Sequence, residues 1–574
     1  MDYKTPTFNL KTGADSDLIV AREVTQPNSS ANGKIKRKEG IFRFPYLTRR
    51  TGDTLTGNTE NIESNELKHG RTKSAPRKGT SSSSGDINFE FSPETFDDMM
   101  EAVFRGKWKR WKSDTNSVSN KEKNVYPNGY FATKCATSVS GRKLIFDGNG
   151  SGNSEGLVKV ANNGKGFVVH ELNPGTEDIK YSLLRRYGGQ TGEDLWQEFT
   201  HCALNTFQLS VEINSIITGS FGIMGSNNPK LFDSNEIARE FEGRMESIAN
   251  ADKLVDKGTW AASKTYAVND FVYETGTKAY YKCKSAHTST TTFDKTKWDK
   301  FSSYKYFESI PDHATNTDQF TAREGFLYVN GKQIQFAQSL SFTLDNGLQQ
   351  KFAIFMPNAI STVPVDLNIS GDLSTYVVGG VNEAKDMFNN AVDDETVELL
   401  WCVQDKLENP TAVYVFQIFN AKHTSNNIDG NGADTFNETL PWQSFGEQAC
   451  RVFRIMLPRI TDAEAVVTTS GDSPVTSGNP NTLILLPNIE LEANDVVAGD
   501  FEITSTLNGT DNTSAMAFGT PTLETKSAQD DYGMIELPFT AVTQTGSKQT
   551  LDVTIKWRGI EFSKSFTIPA KATT

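Results

Sequence analysis

Histidines, cysteines and paired carboxylates build most active sites, and this sequence spaces them poorly for that purpose. The six histidines (His69, His170, His201, His287, His313 and His423) include no HExxH or other metal-ligand spacing. The five cysteines (Cys135, Cys202, Cys283, Cys402 and Cys450) lie far apart, form no CxxC and are odd in number. Reduced thiols, rather than a zinc ribbon or a disulfide framework, are the expectation. No GxSxG, P-loop or GxGxxG is present. The loop 147–156, DGNGSGNSEG, offers Asp147 and Asn149 as oxygen ligands but lacks the downstream bidentate glutamate of an EF-hand. The pairs Asp97-Asp98 and Asp393-Asp394 suit solvated faces better than the two flanking carboxylates of a glycosidase. The expectation is a protein that is not an enzyme, with no cofactor and no metal.

Two other groups of residues point to binding. Residues 60–84, ENIESNELKHGRTKSAPRKGTSSSS, cluster Lys68, Arg71, Lys73, Arg77 and Lys78. A polar segment of this length is either a solvated loop or an arm or hairpin that orders against a partner, and long loops in compact domains usually bind something. Residues 258–301 are dense in aromatics: Trp260, Tyr266, Phe271, Tyr273, Tyr280, Tyr281, Phe293, Trp298 and Phe301. A unit this small can barely bury a core, so its aromatics must supply one.

The whole chain has 574 residues, enough for about four domains at roughly 150 residues each. Its net charge of −13 makes it a poor general binder of nucleic acid. No apolar run approaches the ~18 residues of a membrane span. The first twenty residues lack the apolar core of a signal peptide, so neither a membrane-spanning nor a Sec-exported protein is expected.

The elements that must position these residues read mainly as strands. Phe207, Leu209, Val211 and Ile213 alternate with polar residues, as do Ile217 to Ile223, Ile87 to Phe91, and Leu340 to Leu344. Asp345-Asn346-Gly347 reads as a hairpin turn, with Lys351 to Met356 as the return strand and Val365 to Ile369 as another. Ser92 can cap a helix whose stripe is Phe96, Met99, Met100, Val103 and Phe104, ending at Gly106. A second helix is expected over Asn382 to Val392. Both helices follow similar strands, GDINFEF and VDLNIS, which hints at an internal duplication.

Arg50-Thr51-Gly52, Glu63-Ser64-Asn65-Glu66, the basic linker, Ser84 to Glu90 and Thr95 to Ala102 occur in the order seen in tail tube proteins of long-tailed siphophages. Ser215 to Gly225 and Ser341 to Leu348 add to it. The chain resembles that family over about residues 40–250 and 305–460. The resemblance implies a β-sandwich or barrel with a flanking helix, closing into rings around a DNA channel. It also implies an inter-ring arm within 50–84, carrying Glu63, Glu66, Lys68, Arg71, Lys73, Arg77 and Lys78. Ring closure would leave no sheet edge exposed. Partners would be other copies, as three chains in a pseudo-sixfold ring or six in a hexameric one, the rings stacking. Tape measure and terminator proteins would be further partners, with DNA passing unbound. The place would be the virion tail, assembled in the bacterial host cytoplasm, with no membrane.

Four segments follow: a first tube half 1–251, an insert 252–303, a second tube half 304–458 and a C-terminal module 459–574. The insert, from Trp260 through Asp270, Gly276 and His287 to Trp298, resembles small chitin-binding-type carbohydrate modules. That resemblance implies possible glycan stacking on Tyr266, Tyr280, Tyr281, Phe293 and Trp298, and contact with host-surface glycans. After the turn-rich stretch Thr468 to Thr482, read as a linker, short strands around Leu483, Phe501, Ile535, Leu551 and Phe566 suggest an immunoglobulin-like sandwich with Trp557 in its core. Residues 461–574 hold 15 acids and 6 bases, so most of the negative charge sits there. Two alternatives to the tube are a secreted or surface glycan-binding adhesin, which should carry a signal or anchor, and a polysaccharide-active enzyme, which should carry a catalytic acid pair.

Overall fold

The computed structural model describes residues 16–24, 34, 44–66, 74–110, 168–188, 194–244, 255–268, 270–277, 279–300, 310, 318–330, 332–378, 382–393, 395–406, 410–425, 427–429, 435–446, 449–466, 481–491, 495–511, 518–524, 534–539 and 549–568. Strands dominate, as the alternating patterns predict.

The first half contains β1 (Ser16–Arg22), β2 (Tyr46–Leu47), β3 (Gly52–Asp53), β4 (Thr56–Ile62), β5 (Arg77–Glu90), α1 (Asp97–Phe104), β6 (Lys109–Arg110), β7 (Val168–Leu172), β8 (Lys180–Tyr187), β9 (Leu195–Glu212), β10 (Thr218–Gly225), β11 (Leu231–Asp233) and α2 (Ser234–Arg244). The insert follows with β12 (Val255–Thr259), β13 (Thr265–Tyr266), β14 (Asp270–Glu274), β15 (Ala279–Cys283), β16 (His287–Thr288) and β17 (Trp298–Lys300). The second half has β18 (Gly325–Val329), β19 (Lys332–Ile334), β20 (Ala337–Asp345), β21 (Gln349–Lys351), β22 (Ser361–Val363), β23 (Asn368–Tyr376), α3 (Asn382–Val392), β24 (Val397–Gln404), β25 (Ala412–His423), β26 (Asn427–Asp429), β27 (Asn437–Ser444) and β28 (Cys450–Met456). The module ends the chain with β29 (Ile460–Val466), β30 (Asn481–Pro487), β31 (Phe501–Leu507), β32 (Thr510–Asp511), β33 (Thr522–Glu524), β34 (Met534–Phe539), β35 (Gln549–Trp557) and β36 (Ile560–Ile568).

The two halves repeat one topology. In the first, β1 pairs with β2 and β8, β8 with β9, β9 with β10, β10 with β5, and β5 with β3. In the second, β18 pairs with β19 and β24, β24 with β25, β25 with β27, β27 with β23, and β23 with β20. These antiparallel ladders correspond one to one in chain order. Helix α1 follows β5 as α3 follows β23. The halves join where β9 pairs with β20 over Thr206–Glu212 and Ser339–Asp345, and again where β7 pairs with β28. The result is one continuous run of strands, β5-β10-β9-β20-β23-β27.

The repeat also explains a departure from the expected hairpin at Asn346-Gly347. β20 returns not as 351–356 but as β23, and residues 346–367 form a separate excursion in which β21 pairs with β22. In the first half the β4–β5 ribbon occupies the equivalent place between β3 and β5. Asn346 is buried and its Nδ2 donates to the carbonyls of Val103 (2.8 Å) and Asn205 (3.1 Å), so the Asn-Gly pair anchors the excursion to the core.

Helix α1 is present but is not an amphipathic surface helix. It starts at Asp97, without a side-chain cap, after a turn in which Glu94 has φ 68°. The Ser92 hydroxyl instead meets Thr95 Oγ1 at 2.9 Å. All of its residues are buried, including Asp97, Asp98 and Glu101. This corrects the expectation that Asp97-Asp98 is solvated: strands from both halves close over the helix and bring cations with them. Arg454 Nη1 lies 2.6 Å from Asp97 Oδ2, and Arg22 Nη1 lies 3.1 Å from Asp98 Oδ1. Tyr414 Oη donates to Asp97 Oδ1 at 2.6 Å and Tyr181 Oη to Asp98 Oδ2 at 2.8 Å. Burying charge is costly unless each ion is paired and hydrogen-bonded, as these are. The helix ends at Arg105 in the left-handed region, and Gly106 follows where a Cβ would stand 2.3 Å from the Asn173 carbonyl.

Around α1 the core is aromatic. Phe89, Phe207 and Phe221 stack, with Phe89–Phe221 centroids 4.9 Å apart and Phe207–Phe221 5.1 Å apart. The module packs two four-stranded sheets, β29-β30-β34-β33 and β32-β31-β35-β36. Trp557 is buried there and stacks on Phe501 at 5.3 Å. Arg459 Nη2 and Asn488 Nδ2 both donate to Glu94, at 2.8 and 2.7 Å, tying the module to the turn before α1. The stretch Thr468 to Thr482 is not a linker between domains, because the strands on either side of it, β29 and β30, pair within one sheet. Residues 467–480 themselves lie outside the described residues.

Candidate functional site

Alternation in the six central strands sends apolar side chains to the core and leaves a second face uncovered. The residues on that face are Ser84, Asp86, Asn88 and Glu90 on β5, and Thr218 and Ser220 on β10. Thr206, Gln208, Ser210 and Glu212 follow on β9, then Ser339, Ser341, Thr343 and Asp345 on β20. Asn368, Ser370, Asp372 and Ser374 lie on β23, and Thr439 and Gln443 on β27. The segments 84–90, 206–212, 218–225, 337–345, 368–376 and 437–444 contain no lysine or arginine. Asp86, Glu90, Glu212, Asp345 and Asp372 are their outward acids. The face is therefore small, polar and negative.

Hydrogen bonds hold these side chains flat on the sheet. Ser341 Oγ accepts from the Asp372 amide at 2.8 Å, Gln443 Nε2 donates to Asn368 Oδ1 at 2.8 Å, and Gln319 Nε2 donates to Glu90 Oε2 at 3.0 Å. At Gly222 a Cβ would fall 2.1 Å from Thr206 Oγ1 and 3.3 Å from Asp86 Oδ1, so glycine keeps the face smooth where three strands meet. Within these segments a polyanion would meet no lysine or arginine, and the carboxylates would repel it. Nothing singled this face out at the sequence level. The signal was the absence of lysine and arginine from these six segments, read against a chain with 58 of them.

The basic 60–84 segment becomes the β4–β5 ribbon. Glu63, Glu66, Arg77 and Lys78 are exposed on it, and Ser74 Oγ donates to Glu66 Oε2 at 3.1 Å. Lys68, Arg71 and Lys73 lie outside the described residues.

In the insert, Tyr266, Tyr281 and Trp298 are 1%, 6% and 3% exposed and form the mini-core with Val272 and Cys283. Burial removes these three from any sugar-stacking surface, because without them the unit has no core. Phe293 is partly exposed but lies on Trp298 (5.4 Å) and Tyr281 (4.7 Å). Tyr280 is half-buried and stacks on Phe271 at 5.2 Å.

Among the described residues no group of three or more His, Cys, Asp or Glu could hold a metal ion. The loop with Asp147 and Asn149 lies outside the described residues. Among the titratable groups beside α1, burial pushes the Glu101 carboxyl up to about 7, against the pull of Arg22. Burial, with Arg454 and Arg110 nearby, holds His170 well below its ordinary value.

Residues 13–279 match a family model described as phage tail tube protein. This part of the chain is similar to phage tail tube proteins. The match spans the first half and runs into the insert as far as β14, a little under half of the chain. No curated protein matches. Among solved structures, a chain of the "anti-feeding prophage (AFP) baseplate, 6-fold symmetrised" is similar over 22% of this chain and 89% of its own, at 15% identity and a TM-score of 0.17. So loose a likeness leaves the functional reading to the family match and the sheet.

Proposed function

We infer that this protein is a structural subunit of a phage tail, and that its base-free sheet face lines the channel of a tube. The observation that carries this reading is the six-strand run, in which two equivalent halves join edge to edge and their paired central segments present five acids and no base on one face. Duplex DNA carries one negative charge per roughly 1.7 Å of its length, and a channel wall with exposed lysines would hold it by counterion release. A polar wall without cations lets it slide.

Two equivalent halves per chain favour three chains per ring, imitating a sixfold ring. The β4–β5 ribbon serves as an arm between stacked rings. This is the arrangement of a non-contractile siphophage tail, with a major tail protein assembled in the host cytoplasm, a tape measure inside and a terminator at the end. The tube conducts DNA during ejection. The insert, whose aromatics are mostly its own core, decorates the tube without a ligand of its own, and the acidic module decorates it too.

Negative-stain microscopy of the full chain, with native mass measurement, tests this. Rings with a central channel and a mass of three chains are expected. A strict monomer at every concentration would overturn the reading, and six chains per ring would overturn the role given to the duplication.

A further inference from the structure

The excursion 346–367, equivalent in position to the arm of the first half, has a chemistry of its own. Phe355 is 98% exposed and Ile354 83%, with Phe352 and Met356 exposed beside them. Phe355 has φ 68°, a conformation unfavourable for an aromatic residue, so the backbone is strained where the ring points to solvent. The tip is not a loose end. Ser81 donates its amide to the Pro357 carbonyl at 2.7 Å, Ala359 donates to the Ser81 carbonyl at 3.2 Å, and Gln350 Nε2 donates to the Gly225 carbonyl at 2.7 Å. An apolar tip braced this firmly against the first-half ribbon is built to meet another surface.

That surface has a counterpart on the same chain. An open, mostly apolar groove of about 490 Å³ is lined by Val211, Ile213, Phe326, Leu340, Trp401 and Val403. It sits where β9 ends and β20 begins, whereas the excursion leaves from the end of β20, beyond Asp345. The tip and the groove therefore lie toward opposite ends of β20, whose nine residues at about 3.3 Å each span roughly 30 Å. Two complementary patches at opposite ends make a head-to-tail contact, which propagates instead of closing on itself.

We propose that the tip of the 346–367 hairpin of one copy inserts into the groove of the next copy along the tube axis. The occupant of the groove is thus a second copy of this chain. The proposal rests on the tube reading and adds an apolar stacking contact, contributed by the second half, to the polar arm of the first.

The test uses the full chain with two variants. Ile354→Asp with Phe355→Asp alters only exposed positions, so circular dichroism should be unchanged. Ile213→Arg, at a position 48% exposed on the groove, blocks the other side. Each variant alone should form rings, with at least a ten-fold loss of stacked species in sedimentation velocity and negative stain. An equal mixture should form pairs of rings and no longer stacks, because each pair retains one intact tip and one intact groove at a single junction. Wild-type-like stacking by the tip variant, or no pairs in the mixture, would overturn the proposal while leaving the tube reading in place. Absence of rings and stacks in the unmodified protein would overturn both.

Discussion

Arg454 is fully buried between α1 and the second half, and its replacement by methionine is the sharpest test of how the fold is held together. The guanidinium lies 2.6 Å from Asp97 Oδ2 and 4.6 Å from the centre of the Trp108 ring. Methionine keeps much of the packing against Trp108 but leaves Asp97, 2% exposed, without its counter-ion. Tyr414 would remain as a neutral donor. Removing one partner of a buried pair costs about 3–5 kcal/mol, because the other is left as an uncompensated charge. For a cooperative unit of 150–250 residues, roughly 2–4 °C per kcal/mol makes this a fall in Tm of about 6–20 °C. Urea and thermal unfolding followed by circular dichroism would measure it. Asp97→Asn in the same chain removes the stranded charge, so the double variant should regain a large part of the loss. A single variant within about 0.5 kcal/mol of the unmodified protein, the range of ordinary surface substitutions, would refute the claim that charge pairing holds α1 in the core.

Other outcomes follow from the same structure. Glu101 has a folded-state value of about 7 against 4.5 for the free group, so the folded protein takes up its proton between those values. Its contribution to stability is complete below about pH 4.5 and is lost as pH rises through about 7. Glu101→Gln should flatten that part of the stability profile and stabilise the protein at pH 8, with no gain near pH 4.5; an unchanged slope would refute the assignment. Replacing Asp86, Glu90 and Asp372 together by lysine should leave assembly intact while DNA begins to bind, with an affinity that falls steeply with salt in filter binding. Trp298→Ala should unfold the insert, at a cost of about 3–5 kcal/mol. Hydrogen exchange would show that loss confined to residues 255–300. Chitin oligosaccharides should produce no shift in the insert's resonances at millimolar concentration.

Local pattern was legible where a residue's neighbours in sequence are also its neighbours in space. Period-two alternation located the strands at 87–91, 207–213 and 340–344, and apolar residues at helical spacing located Asn382–Val392. The strand-then-helix likeness around GDINFEF and VDLNIS was a faint trace of a topology that the ladders repeat throughout both halves. The basic segment 60–84 reads in sequence as either a solvated loop or an arm or hairpin, and the β4–β5 pairing makes it a ribbon. Three things were illegible. Asp97 and Asp98 look like solvated residues of a surface helix, because their partners Arg454 and Arg22 are 357 and 76 positions away. Tyr266, Tyr281 and Trp298 look like a sugar platform, because an aromatic in a mini-core and one on a surface have the same spacing. Lys351 to Met356 looks like a return strand, because nothing local shows that β20 is answered by β23.

The sequence by itself therefore determined a mainly β protein with no recognisable catalytic constellation, its strand periodicity, two of its three described α-helices (Ser234–Arg244 was missed) and its likeness to tail tube proteins. Those properties depend on side-chain order within a few residues. Tertiary structure decided which polar residues are buried, which aromatics are exposed, and that six separate strands place their acids on one common face. Those outcomes depend on which distant strands hydrogen-bond to one another, and strand pairing is long-range.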